Sequence, residues 1–161
     1  YEADQKRVVA SPSDLLSLLE ERKEFTSAPS PLPAYSVEIV EGVASALPQV
    51  DDLLNQHAKG AGIDRLPAVD LAVLRVAVWE MLHNSEEVPR ITAIDEAVSV
   101  VKQISTDASP AYVNAVLDAV RLHLDRDEAA TASPATSDFE EKTPKQEVET
   151  EFDLDELLDE Y

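Results

Sequence analysis

Residues 66–118, LPAVDLAVLRVAVWEMLHNSEEVPRITAIDEAVSVVKQISTDASPAYVNAVLD, read as three consecutive helices joined by short polar turns. In the first, from about Pro67 to His83, Leu71, Leu74, Val78 and Met81 or Leu82 recur at three- and four-residue steps, and Val73 and Ala77 widen the apolar face. A helix this apolar belongs at the centre of a core. The second carries Ile94, Val98, Val101 and Ile104 as a stripe, with Thr92 the expected N-cap, Asp95 and Glu96 near its positive end, and Val88 and Pro89 in the preceding connection. Ser109 followed by Pro110 is a third start signal, because serine can accept a backbone N–H bond and proline needs none at the first helical position. Val113, Val116, Leu117, Val120 and Leu124 continue its apolar face.

Upstream, SPSDLLSLLEER suggests a helix with Ser11 as N-cap, Pro12 at the first position and Asp14 facing the positive end. Pro29, Pro31 and Pro33 then enforce a long extended connector. A further helical pattern begins near Ser36 with Val37, Val40, Ala44 and Leu47, is expected to be interrupted at Pro48, and ends before Gly60 and Gly62. The opening YEADQKR reads as the end of a helix already under way, and Tyr in place of Met at position 1 suggests that a native beginning is lacking. Strand-like alternation is sparse, so the expected fold class is all-α, a compact multi-helix bundle.

After Arg126 the apolar pattern fails, which predicts a helical domain over residues 1–126 and an acidic disordered tail over 127–161. The tail holds 13 acidic and two basic residues, more than half of the formal net charge of −20. Its end, EFDLDELLDEY, spaces Leu154, Leu157, Leu158 and Tyr161 for a short amphipathic helix at 152–161 on a partner, the alternative being a solvated tail. Composition alone argues against nucleic acid, whose binding rests on Lys and Arg displacing condensed counterions.

Cysteine is absent, and His57, His83 and His123 stand too far apart for a local ligand set, so no metal or other cofactor is expected. No apolar run approaches the roughly 20 residues needed to cross a bilayer, and nothing resembles a signal peptide, which fits a cytoplasmic protein. The three glycines form no phosphate loop and the serines and histidines suggest no triad, so an enzyme is not expected.

The motifs themselves are more specific. LPAVDLAVLRVAVWEML resembles the central helix of the NusB transcription antitermination factors, VPRITAIDEAVSVVK resembles that family's VP turn with its AINEA-like helix, and SPAYVNAVLDAV resembles its FVNGVLD-containing helix. The likeness extends less clearly through YSVEIVEGVASAL and YEAD. Ala115 replaces a usual Gly, and Ala108 replaces the acidic residue that commonly precedes the Ser of the last helix. The resemblance implies an all-helical protein that pairs with NusE, a small-subunit ribosomal protein, and binds boxA RNA in ribosomal RNA transcripts within an RNA polymerase antitermination complex. It also implies an arginine-rich segment preceding Tyr1, which would offset the acidic composition.

Carried over residue by residue, the resemblance places Tyr1 and Asp70 at the NusE interface, Asp70 being otherwise a solvated helix charge. It places Lys102 and Tyr112 near the RNA surface, where an ammonium neutralises phosphate and an aromatic ring stacks on a base; solubilisation and core packing are the alternatives. Asp107 adjoins the altered Ala108 without being its equivalent. Arg75 is read as an internal ion-pair donor with Asp118 and Glu96 as candidate partners, Asn114 as a buried amide joining helices, and Trp79 as a core or groove aromatic. An apolar helical groove would suit either NusE or a second copy in a homodimer. Two other readings stay open: a NusB-like domain from an RNA cytosine methyltransferase, and a protein-only adaptor whose acidic tail covers the RNA site.

Overall fold

The computed structural model describes residues 1–6, 11–26, 29–58 and 62–132, and among these it is all-α with no strand. The helices are α1 (Glu2–Lys6), α2 (Pro12–Glu24), α3 (Ala34–His57), α4 (Ala68–His83), α5 (Arg90–Ile104) and α6 (Ser109–Ala132), with a 3-10 turn at Ile63–Arg65 before α4. The expected amphipathic helix at 152–161 lies outside the described residues.

The α2 start follows the sequence signal closely. Ser11 Oγ accepts the Asp14 N–H at 3.2 Å, Asp14 Oδ2 accepts the Ser11 N–H at 3.0 Å, and Pro12 occupies the first turn. Pro48, by contrast, does not interrupt its helix. α3 runs through it without a break, because one missing backbone bond is outweighed by burial of Val43, Ala44, Leu47, Val50, Leu53 and Leu54 on the same face.

Two other boundaries differ from expectation. α5 starts at Arg90 directly after Pro89, which places Thr92 inside the first turn rather than at the cap. The extended backbone of Pro89 sets that start without a side-chain cap, and its carbonyl accepts the Ala93 N–H at 3.1 Å. α6 continues past Arg126 to Ala132. Polar pairs rather than apolar burial hold this last stretch: Arg90 bonds Asp125 and Glu128, and His123 Nε2 lies 3.2 Å from Asp127 Oδ2.

α4 is the hub, packing against α3, α5 and α6, while α2 packs on α3. Its Leu74, Val78 and Met81 are fully buried. Trp79 lies against Gly42 of α3, where an added Cβ would sit 2.2 Å from the indole ring, so only glycine permits this approach.

Arg75 is an internal ion-pair donor, but its partners are not Asp118 or Glu96. It bonds Asp51 of α3 at 2.8 and 2.9 Å and both oxygens of Asp4 of α1 at 3.1 Å. The reason is rotational: Arg75 faces α3 and α1, Glu96 lies on the α5 side of α4, and Asp118 is engaged by Arg121 on its own helix. Burial would lower the guanidinium pKa, but hydrogen bonds and charge from Asp51 and Asp4 reverse this and raise it. Arg75→Ala is expected to destabilise the fold by about 3 kcal/mol, because two carboxylates lose their shared cation; denaturant unfolding checks this, and a loss below about 1 kcal/mol would show the cluster to be well hydrated.

At the far end of α3, the ring of His57 meets that of His123 edge-on at 5.1 Å, and His57 Nε2 is buried with no hydrogen-bond partner among the described residues. Burial first, then the charges of His123 and Arg126, hold the His57 pKa below its ordinary value. A base whose folded pKa is depressed stabilises the fold above its unfolded pKa and costs stability as pH falls through and below it. The melting temperature is therefore expected to drop between about pH 7.5 and 5.5, and His57→Gln to flatten that slope. Identical slopes in thermal melts of the two proteins would exclude His57 as the cause.

Candidate functional site

The four sequence-predicted residues fall into two groups around α4 and α5. The first group surrounds the connection between α5 and α6. Lys102, on the last full turn of α5, is exposed and makes no ion pair among the described residues. Tyr112, on the first turn of α6, is half-buried, and its phenol pKa is raised by burial and then by the charge of Asp70. Asp107 is exposed on the turn between them.

Asp70 is not at the surface. It is 2 % exposed, on the first turn of α4, where a carboxylate also benefits from the positive helix end. Its Oδ1 accepts from Ser105 Oγ at 2.5 Å and its Oδ2 from Ser109 Oγ at 2.7 Å. Neither a solvated helix charge nor a carboxylate held out to a partner describes this arrangement. The same geometry corrects Ser109, which is the first residue of α6 rather than its cap. Its hydroxyl proton goes to Asp70, a stronger acceptor than any neutral group nearby, and its oxygen accepts the Thr106 N–H at 3.3 Å. Since each hydroxyl has one proton, Thr106 Oγ1 is the donor in its 2.8 Å contact with Ser109 Oγ.

The second group is an apolar groove of about 370 Å3 between α4 and α5. Val73, Val76 and Ala77 line one side, Ala93, Ala97 and Val100 the other, and Glu80 and Glu96 stand on it as the acidic groups. Along α5 the apolar positions Ala93, Ala97, Val100 and Ile104 follow helical spacing, with Val100 40 % and Ile104 63 % exposed. Tyr1, 57 % exposed, lines a smaller recess of about 120 Å3 that shares Ala72 and Val76 with the groove. The structure thus brings Tyr1 to the groove's neighbourhood, and Asp70 lines neither recess.

Lys102 lies roughly 140° and 200° around α5 from Ala97 and Val100, at about 100° per residue. Groove and turn therefore face different directions. Asn114 is exposed on α6 rather than buried between helices, because its neighbours Val113, Val116 and Leu117 take the inward face. Trp79 is a core aromatic, 7 % exposed. The sequence does not single out Ser105 and marks Ser109 only as a helix start; their spacing of four residues across a short turn is the available signal of a shared partner. Among the described residues no group of three or more acidic, histidine or cysteine side chains could hold a metal, and no helix is long and apolar enough to cross a membrane.

This fold is an all-helical bundle with an apolar central helix and a polar turn braced on it. The chain belongs to the NusB family, whose sequence profile matches residues 6–121. It is 46 % identical over 120 residues to a protein of Beutenbergia cavernae, covering 73 % of this chain and 78 % of that one. It is 38 % identical over 160 residues to one of Bifidobacterium longum subsp. infantis, covering 99 % and 79 %. A Bifidobacterium animalis subsp. lactis protein is 40 % identical over 141 residues, 88 % of each chain. All three relatives bear the name transcription antitermination protein NusB.

Proposed function

We propose that this chain is a cytoplasmic, non-catalytic transcription antitermination factor that pairs with NusE and binds boxA RNA of ribosomal RNA transcripts, as an adaptor in the RNA polymerase antitermination complex. The observation that carries the reading is that α5 serves two separate surfaces, the apolar groove and the turn bearing Lys102 and Tyr112. One helix can then hold a protein and an RNA together without either obstructing the other.

The groove suits NusE on charge as well as shape. A ribosomal protein is rich in cations because it binds RNA, and Glu80 and Glu96 offer it carboxylates beside an apolar floor. A second copy of this chain would bring the same two glutamates and a formal charge of −20 against them, which disfavours the homodimer. Tyr1 extends the partner surface from its adjoining recess. At the turn, Lys102 neutralises a phosphate and Tyr112 offers a ring edge or face to an unpaired base. Residues 1–126 form the binding unit in this reading, with residues 127–161 an acidic appendage outside the RNA contact.

The test is an anisotropy titration of labelled boxA RNA, with and without NusE, at two salt concentrations. Salt-sensitive binding that NusE tightens is expected. Lys102→Ala should reduce the salt slope by about 0.7, the value for one charge on a single strand, and Tyr112→Ala should weaken binding on the order of tenfold through lost stacking. Val100→Glu should weaken NusE pairing while leaving binding to RNA alone unchanged. Absence of RNA binding at both salts, with and without NusE, would overturn the reading, as would a stable homodimer that excludes NusE.

A further inference from the structure

Asp70 is the most deeply buried acidic side chain among the described residues, and both its oxygens point into the α5–α6 connection. A carboxylate leaves water at a large cost unless donors meet its charge. Here the donors are Ser105 and Ser109, which bracket the connection at either end. Thr106 closes the network through its hydroxyl and its N–H, both directed at Ser109 Oγ. Ser105 Oγ and Ser109 Oγ also lie 3.0 Å apart, so the three hydroxyls and the carboxylate form one connected polar network across the turn.

The positions of the two RNA-facing candidates follow from this clamp. Lys102 precedes Ser105 by three residues and Tyr112 follows Ser109 by three, so each lies about one helical turn from a serine that Asp70 holds. We propose that Asp70 is a positioning residue for RNA recognition: through Ser105 and Ser109 it fixes the α5–α6 turn so that Lys102 and Tyr112 meet one RNA strand together. This rests on the reading that the turn binds RNA.

A buried anion behind a phosphate-binding surface repels the ligand, so removing its charge would by itself strengthen RNA binding. Loss of positioning acts the other way. The half-burial of Tyr112 beside Asp70 shows that the carboxylate lies close enough for either effect to register.

The experiment uses the full chain and boxA RNA, with Asp70→Asn as the main variant and Ser105→Ala as a milder one that removes a single donor should the first fail to fold. Circular dichroism melts establish that each variant is folded at the temperature of the titration. Asp70→Asn is expected to raise the RNA Kd about tenfold, the equivalent of about 1.4 kcal/mol, and to speed amide exchange at residues 106–109. That loss should largely vanish in a Lys102→Ala, Tyr112→Ala background, because a residue acting only through those two has nothing left to position. NusE affinity, measured without RNA, should not change.

A general loss of structure would instead add its effect in both backgrounds, and that result overturns the proposal. Unchanged or tighter RNA binding by Asp70→Asn, with wild type binding normally, also overturns it and leaves the RNA reading intact. Loss of NusE affinity in place of RNA affinity would return Asp70 to the role of a direct partner contact. If wild-type protein binds no boxA RNA, the underlying reading fails and the positioning role falls with it.

Discussion

Helix α4 is apolar around most of its circumference, and covering it is the problem that the rest of the bundle solves. Each large side chain removed from water contributes about 1.5–3 kcal/mol, and Leu74, Val78 and Met81 are wholly buried only because α3, α5 and α6 close on different sides. Two local features let them close. Gly42 allows α3 to lie against the Trp79 ring, and Arg75 converts a cation inside this apolar helix into a tie to Asp51 and Asp4. The strip of α4 that its neighbours leave uncovered, around Val73 and Val76, is the floor of the groove. The groove is thus the remainder of the packing problem rather than a separate feature.

Charge organises what packing leaves open. In a chain of formal charge −20, an exposed lysine without an ion pair among the described residues is conspicuous, and Lys102 is one. Most of the other described cations are drawn into acid pairs, among them Arg22 to Glu2 and Glu21, Lys23 to Glu20 and Glu41, Arg90 to Asp125 and Glu128, and Arg121 to Asp118 and Asp125, while Arg65 and Arg126 are exposed and make no ion pair among the described residues. Such surface pairs contribute little to stability individually, but they remove cations from the pool able to meet phosphate. The acidic groups at the groove, Glu80 and Glu96, have the opposite consequence, making its rim negative.

Much of the fold was legible because helical spacing and start signals are local. The stripes of α4, α5 and α6, the Ser11 N-cap and the Ser-Pro start of α6 all sit within a few turns of chain, and the helices carry those patterns, although α5 begins at Arg90 and α6 runs on to Ala132. The differences have one origin. Pro48 reads as a break when weighed alone, yet six buried neighbours hold its helix together. Arg75 could be recognised as an internal donor from its apolar surroundings, but not matched to Asp51 and Asp4, since sequence spacing does not say which way a helix is turned.

Sequence by itself determined the class of the molecule: all-helical, built on one dominant apolar helix, with motifs of the NusB family in order. Only tertiary structure decided the state of the chemistry-bearing side chains. Asp70 is a charge that any helix surface could carry, until α5 and α6 bring Ser105 and Ser109 onto its two oxygens. Asn114 looks like a buried linker until the turn of α6 faces it to water. Periodicity sets which face of a helix is apolar, whereas the burial and partners of a polar group depend on contacts between segments distant in sequence, and those exist only once the helices have packed.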